Sequence, residues 1–134
     1  MSQNWVKDIN EMQAKYGVHD WIENADKDKL RHYLTFRVDF LREELDETEA
    51  AMVNMDAEEI VDGLIDLCVV AIGTLDAFGV DPYKAWDEVL KANMNKRVGV
   101  KEGRPNPLGL PDLKKPKDWE PPSHEGNYGI LHDF

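Results

Sequence analysis

The chain has 134 residues, of which 42% are hydrophobic and 32% charged, a composition typical of one globular domain with a real core. Its formal net charge is −11, from 27 acidic and 16 basic residues, so a nucleic-acid backbone would repel it and no nucleic-acid partner is expected. No apolar run is long and charge-free enough to span a bilayer, so no membrane partner is expected either.

Cysteine usage and the N-terminal sequence together predict a cytoplasmic protein. The single cysteine, Cys68, excludes an intrachain disulfide and lies in an apolar stretch. The N-terminus lacks the basic-then-apolar pattern of a signal peptide. We therefore predict a reducing compartment, in which Cys68 is a small core residue rather than a nucleophile.

The N-terminal region is predicted to hold one helix and a loop. Apolar residues recur every three or four positions over residues 3–16, which predicts a helix that docks one face onto a larger body. Gly17 is a suitable end for it, and residues 18–24 are predicted to form a loop. Two interpretations of this loop stay open: a packed connection plugged by Trp21, or one wall of a ligand pocket formed by Trp21 or His19.

A second helix is predicted from about residue 28 to residue 52, and one of its faces changes from aromatic to acidic. That face carries Tyr33, Phe36, Phe40, Glu43, Glu44 and Glu47. Such a face suits a pocket in which a base stacks while its phosphates reach a metal ion. The alternative is that Phe36 and Phe40 fill a subunit interface, and both can hold at once.

A third helix, capped by Asp56 and ending near Phe78, is apolar almost all round and is therefore predicted to be central and buried. It carries a narrow acidic stripe of Glu59, Asp62 and Asp66. Buried carboxylates cost several kcal/mol unless they are paired or bind a metal ion. Glu59 also fits a capping box, but capping does not require two further acids on the same face.

Two acidic motifs on neighbouring helices predict a metal site. Glu44 and Glu47 share one helix face, as do Glu59 and Asp62. The connection between their helices is short, so the helices should lie antiparallel and adjacent. About four carboxylates would then meet, which requires a cation, and all-oxygen ligation suits Mg²⁺ or Mn²⁺.

The last part of the chain predicts a fourth helix followed by an extended segment. Asp81-Pro82 opens the helix, and near its end Asn93 and Lys96 are spaced to share a face and touch phosphate oxygens. Cations at a helix C-terminus also favour the dipole without any ligand. Six of the seven prolines follow Gly99, so we predict a helical metal- and nucleotide-binding domain over 1–98 and an extended arm over 99–134. The arm is either ordered, anchored by residues such as Trp119, Ile130, Leu131 and Phe134, or a mobile lid.

These residues resemble a known family, the MazG-like all-α nucleoside triphosphate pyrophosphohydrolases. The resemblance covers roughly residues 5–98 and rests first on the two acidic motifs. The run Arg37-Val38-Asp39-Phe40-Leu41-Arg42-Glu43-Glu44 is similar to the family's arginine-led approach to the first motif. Ala92-Asn93-Met94-Asn95-Lys96 resembles the Ala-Asn-Met-x-Lys of the fourth helix in many small members. Pro121-Pro122 also recurs in such short, often phage-encoded proteins.

The resemblance implies an antiparallel four-helix bundle with a Pro-rich C-terminal arm, working as a homodimer or homotetramer. It implies Mg²⁺-dependent cleavage of a (d)NTP to (d)NMP and pyrophosphate in nucleotide-pool control, with Mn²⁺ able to substitute. The implied metal ligands are Glu44, Glu47, Glu59 and Asp62, with Glu43 beside them as a further catalytic candidate. The candidate substrate contacts are Trp21, Phe36, Phe40, Asp66, Asn93 and Lys96.

Base preference stays open among dUTP, dCTP, dGTP and modified nucleotides. The phosphoribosyl-ATP branch usually carries Tyr-His after its second motif, whereas this chain has Leu67-Cys68-Val69, which disfavours that branch. The competing hypothesis is a non-enzymatic metal-binding or protein-interaction bundle. A di-iron carboxylate protein is not expected, because no histidine follows these glutamates at the required spacing.

Overall fold

Helices dominate the computed structural model, which describes residues 3–104 and 106–133. The helices are α1 (Trp5–Lys15), α2 (Val18–Asn24), α3 (Lys27–Val53), α4 (Ala57–Ala77) and α5 (Pro82–Met94). Two short strands, β1 (Arg97–Val98) and β2 (Leu113–Lys114), pair antiparallel, and a 3-10 helix spans Gly129–Asp133. The predicted all-α fold is confirmed. Among the described residues, no helix is long and apolar enough to cross a membrane.

Side-chain caps fix the starts of the longer helices in the N-terminal part. The caps are Asn4 for α1, Asp26 for α3 and Asp56 for α4, and each side-chain oxygen accepts a hydrogen bond from a backbone N–H three residues on. Each cap satisfies one of the N–H groups that a helix start leaves without a partner. The predicted Asp56 cap is confirmed.

The loop predicted over residues 18–24 is wrong, because this segment forms α2. Gly17 adopts a left-handed conformation (φ 75°), which ends α1 and allows a new helix to begin at the next residue. Seven residues are too few to show a helical period in the sequence. Tertiary contacts stabilise α2 instead, since Ile22 is buried in the core.

The chain divides into two compact units. The helical unit comprises Met1–Pro82 and Tyr128–Phe134 and contains α1 to α4, and the arm unit comprises Tyr83–Asn127 and contains α5 and the β pair. The core of the helical unit is formed by Ile22, Leu30, Ala77 and the fully buried Phe78.

The C-terminal turn belongs to this helical core. The N–H of Ile130 donates to the carbonyl oxygen of Phe78 at 2.9 Å, and Ile130 and Leu131 pack against the core cluster. Both residues were predicted as anchors of the tail, while Phe134, a third predicted anchor, lies outside the described residues. In the arm unit, the Trp119 indole N–H donates to the Ala92 carbonyl oxygen at 2.7 Å. These contacts favour an ordered arm over a mobile lid.

The prediction that the apolar α4 helix is wholly buried is wrong for the single chain. Val61, Leu64 and Ile65 are 63%, 51% and 44% exposed, and Cys68, predicted as a core residue, is exposed as well. The reason is that the other helices of the unit pack on only part of its circumference. A stripe with a spacing of three to four residues, which we call the α4 apolar stripe (Val61, Leu64, Ile65 and Cys68), is left uncovered.

Candidate active site

A glycine lets α3 and α4 approach closely beside the two acidic motifs. Gly63 and Thr48 are both buried, and a Cβ added to Gly63 would collide with the Thr48 side chain. The Thr48 hydroxyl donates to the Glu44 carbonyl oxygen at 2.8 Å, which turns its polar group back onto its own helix. Glu47 directly precedes Thr48 in the sequence, and Asp62 directly precedes Gly63. The close approach of α3 and α4 at this contact therefore holds the two acidic motifs side by side.

Carboxylates from both helices act on Glu44. Partial burial raises the pKa of Glu44, and the negative charges of Asp66, Glu47, Glu43 and Asp62 raise it further. Two of these acids come from α4 and two from α3. The structure therefore brings five predicted site residues together, and we call this group the acidic cluster: Glu43, Glu44, Glu47, Asp62 and Asp66. The negative charges of its other members oppose ionisation of Glu44.

Glu59 is the predicted ligand that does not contribute to this shift. Its backbone N–H donates to the Asp56 side chain at 3.2 Å, which is one half of the capping box. The reciprocal hydrogen bond, from the Asp56 N–H to the Glu59 carboxylate, does not form, because the Asp56 N–H donates to the Ala51 carbonyl oxygen at 2.9 Å. The cap therefore does not require the Glu59 carboxylate, which stays exposed at the start of α4.

The candidate ligand atoms at the acidic cluster are of the chemical type that binds a hard divalent cation. Every candidate ligand offers carboxylate oxygen, and a cation would relieve the repulsion that raises the pKa of Glu44. Within residues 3–104 and 106–133, however, no three His, Cys, Asp or Glu side chains converge closely enough to hold a metal ion. These carboxylates are exposed or half-exposed, so rotation of their side chains is open to them.

An aromatic and acidic cavity of about 380 Å³ adjoins the cluster. Its lining is Phe36, Asp39, Phe40, Glu43 and Glu44. The Phe36 and Phe40 rings have centroids 6.3 Å apart at 59°, and Phe36 is 60% exposed. The predicted aromatic-to-acidic face of α3 therefore forms one concave surface.

Trp21 contacts the core rather than the acidic cluster. Its ring lies 5.4 Å from that of Tyr33, whose ring in turn lies 5.8 Å from Phe78. This chain of contacts favours the packed-connection interpretation of the segment, with Trp21 nevertheless 46% exposed.

Asn93 and Lys96 belong to the arm unit. Asn93 lies in the last turn of α5 and Lys96 follows the end of this helix, and the Lys96 N–H donates to the Asn93 carbonyl oxygen at 3.1 Å. The Lys96 ammonium lies 5.4 Å from the centroid of the Trp119 ring. Lys96 lines a cavity of about 570 Å³ between α5 and the Pro-rich segment, whereas Asn93 is not part of its lining. Asn93 is exposed.

The sequence analysis missed a second polar cluster, which surrounds Asp76 at the C-terminal end of α4. Its carboxylate accepts from Asn10 at 2.7 Å and from Gln13 at 3.4 Å, and lies 2.7 Å from His19 Nε2. Burial raises the pKa of Asp76, but the hydrogen bonds from Asn10, His19 and Gln13 and the charge of His19 outweigh it and leave that pKa lowered. The available signal was an acid in an otherwise apolar helical stretch.

Arg37 joins α3 to α4 one turn from this cluster. Its guanidinium donates to the Thr74 hydroxyl and to the Val70 carbonyl oxygen, both at 3.0 Å. The guanidinium also lies 5.8 Å from the centroid of the Phe40 ring, which is part of the cavity wall. The arginine that leads into the first acidic motif therefore positions an aromatic side chain of the site.

An all-α fold with paired acidic motifs on adjacent helices defines the class of MazG-like nucleotide pyrophosphohydrolases. The model of one family matches residues 22–93, more than half of the chain: phosphoribosyl-ATP pyrophosphohydrolase. The chain belongs to this family, and its general activity is that of a nucleotide pyrophosphohydrolase. No curated protein and no solved structure matches it.

The matching family bears the name of the branch that Leu67-Cys68-Val69 disfavoured, so that segment does not remove the chain from the family. Enzymes of the family typically use a divalent metal ion. The matched segment contains both acidic motifs and the aromatic and acidic cavity, and it ends at Asn93.

Proposed function

We propose that this protein cleaves a (d)NTP between the α and β phosphorus atoms, giving (d)NMP and pyrophosphate in nucleotide-pool control. The observation that carries the proposal is the cavity in which Phe36 and Phe40 continue into Glu43 and Glu44. A nucleotide needs an apolar surface for its base and a metal-binding surface for its phosphates, and this cavity offers both along one helix.

The proposed metal ion is Mg²⁺, with Mn²⁺ able to substitute, held by Glu44, Glu47, Glu59 and Asp62. When bound, it would neutralise phosphate charge and lower the pKa of the attacking water. The raised pKa of Glu44 supports this assignment, because it reflects the negative potential of the neighbouring acids, and that potential would attract a cation. Glu43 lines the cavity and is proposed to assist the attacking water.

The proposed base wall consists of Phe36 and Phe40, whose tilted rings leave exposed aromatic surface. Arg37 restrains Phe40 through the cation–ring contact and is itself anchored on α4. Trp21 is retained as a further candidate for the wall, Asp66 for a substrate contact, and Asn93 and Lys96 for phosphate oxygens.

The assembly is proposed to be a homodimer or homotetramer. The α4 apolar stripe supports this, since exposed apolar residues in a row along one helix are typical of a surface that another protein covers. A helix of a second copy is the proposed cover, because helix-on-helix packing buries such a stripe most completely.

A screen of canonical and modified (d)NTPs with Mg²⁺ tests the reaction, with monophosphate and diphosphate products separated. We expect monophosphate and pyrophosphate from one preferred nucleotide. Diphosphate and orthophosphate would instead indicate cleavage at the γ phosphorus. Tight Mg²⁺ or Mn²⁺ binding without turnover would favour the alternative, a metal-binding or protein-interaction bundle.

A further inference from the structure

The arm unit holds a basic cavity that no part of the proposed mechanism uses. Its volume is about 390 Å³, and its lining is Arg97, Val98, Lys114, Lys115, Pro116, Lys117 and Asp118. Four cations therefore face one carboxylate in a chain whose net charge is −11. The cavity lies entirely outside the segment that matches the family, which ends at residue 93.

The β pair places two of these cations opposite each other. Arg97 on β1 is the antiparallel partner of Lys114 on β2, in a register that also pairs Val98 with Leu113. Like charges directly opposite on neighbouring strands destabilise a sheet. In a two-stranded pair of only two residues each, such a cost is large relative to what the strands contribute. A bound anion would offset it.

Two of the three lysine side chains, those of Lys114 and Lys115, are held in place without neutralising their charge. The methylene groups of Lys114 pack over Gly99, since a Cβ added there would lie 2.9 Å from Lys114 Cδ. The Lys115 ammonium lies 4.8 Å from the centroid of the Trp119 ring. Across residues 3–104 and 106–133, none of the four cations forms an ion pair. Side chains that are already restrained lose less conformational entropy on binding an anion than freely moving side chains do, and here no ion pair has to be broken first.

We propose that this cavity, which we call the basic cavity, binds a polyphosphate group. Inorganic pyrophosphate and the triphosphate group of a nucleotide share that chemistry, and both carry a multiple negative charge that suits a cavity lined by four cations. The planar guanidinium of Arg97 can bind two phosphate oxygens at once, and the lysines supply further charge. A long nucleic acid is not the ligand, because the strongly negative chain would repel its remaining phosphates.

The test measures binding of inorganic pyrophosphate to the full chain in EDTA, where no divalent metal ion can hold it at the acidic cluster. Calorimetry gives the affinity, and amide and indole NMR spectra locate the site. The Trp119 indole N–H, assigned from Trp119→Phe, should shift on titration because Lys115 lies over this ring. The indole signal of Trp5 in α1 should not move.

The test variant is Lys114→Gln/Lys115→Gln, which removes two positive charges from the basic cavity. The matched control is Lys7→Gln/Lys101→Gln, which removes two positive charges from residues outside the lining of the basic cavity. We expect the first variant to bind pyrophosphate about tenfold more weakly or worse, and the second to bind like wild type. Added KCl should weaken binding to wild type. Equal affinity in all three proteins, or equal loss in both variants, would overturn the proposal.

Steady-state kinetics distinguishes the two sources of the polyphosphate, and this step alone rests on the proposed function. If the basic cavity holds the triphosphate of the substrate, the Lys114→Gln/Lys115→Gln variant should raise KM with little change in kcat. If it holds released pyrophosphate, the variant should weaken product inhibition and leave KM unchanged. Turnover by a protein that binds no pyrophosphate in EDTA refutes only the basic cavity, whereas binding without turnover refutes only the proposed reaction.

Discussion

The two ends of α4 hold carboxylates in opposite environments. Near its C-terminal end, Asp76 is surrounded by hydrogen-bond donors on α1 and α2, and its pKa is lowered even though burial acts to raise it. In its N-terminal half, Asp62 and Asp66 lie near Glu44, whose pKa is raised by partial burial and by these like charges. The protein supplies hydrogen-bond donors to the first carboxylate, while the acids of the second group repel one another and would be stabilised by an added positive charge.

The two environments also give opposite dependences of stability on pH. A lowered folded-state pKa stabilises the fold above the unfolded value of about 3.9, and this contribution is lost as pH falls through the folded value. A raised folded-state pKa does the reverse, since the folded chain then binds the proton more tightly. Ionised Glu44 therefore destabilises the metal-free fold above its folded pKa, and the effect disappears below the unfolded value of about 4.3.

The largest expected effect is on catalysis at the acidic cluster, beside the N-terminal half of α4. Glu47→Gln removes a proposed metal ligand and should reduce kcat/KM by on the order of 100-fold or more, as expected when metal coordination is disturbed. The measurement is the rate of pyrophosphate release from the preferred nucleotide.

The matched control is Glu49→Gln, two residues further along α3 and outside the group of acids that acts on Glu44. It should keep near-normal turnover. Retained activity in Glu47→Gln would remove the argument for the metal site, and loss of fold in that variant would show that the carboxylate has a structural role.

The second-largest expected effect is on the stability of the fold, at Asp76 near the C-terminal end of α4. Asp76→Ala leaves the side-chain donors of Asn10 and His19 without their acceptor and should lower the free energy of unfolding by about 2–3 kcal/mol. Urea denaturation measures it. Because the Asp76 contribution is lost in acid, the difference from wild type should shrink as pH falls below about 4.

Asp39→Ala is the control for a carboxylate in an exposed pair. Asp39 lies 2.9 Å from Arg42, and both side chains are more than half exposed, so the loss should stay below about 1 kcal/mol. Equal losses in the two variants would mean that the Asp76 cluster contributes no more than a surface ion pair.

A smaller loss of stability should follow from pushing α3 and α4 apart at their close contact. Gly63→Ala forces Thr48 away and should cost about 1–3 kcal/mol through overpacking, partly offset by the better helix propensity of alanine. Turnover should fall as well, since Glu47 and Asp62 flank this contact. The double variant Gly63→Ala/Thr48→Ala, which removes the colliding hydroxyl oxygen, should recover part of both losses; no recovery would show that the collision is relieved elsewhere.

The smallest effect is a gain in stability. In metal-free protein, Glu44→Gln should raise Tm at neutral pH by about 1–3 °C, because a like-charge repulsion of about 0.2–0.5 kcal/mol is removed. Calorimetric Tm values over pH 3–8 test this, and the gain should vanish in acid. Saturating Mg²⁺ should reverse the order, with wild type the more stable, whereas a Tm of Glu44→Gln below wild type without metal would contradict the repulsion.

Residue patterns with a local physical cause were predictable from the sequence. The Asp56 cap, the length of α3 and the continuous aromatic-to-acidic face of Phe36, Phe40 and Glu43 follow from spacing along one helix, and the structure has them. The family also follows from the sequence, because the acidic motifs carry the chemistry that defines it.

Other features depend on contacts between distant residues, and only the tertiary structure decided them. The helix α2 is too short to stabilise itself and exists through Ile22 in the core, and Asp76 finds its donors on helices about 60 residues earlier in the chain. The exposure of Cys68 on α4 likewise depends on which faces the neighbouring helices cover. Sequence therefore determined which groups lie on each helix face, because helical periodicity is local, whereas packing determined which of these groups are satisfied and which remain open to a ligand.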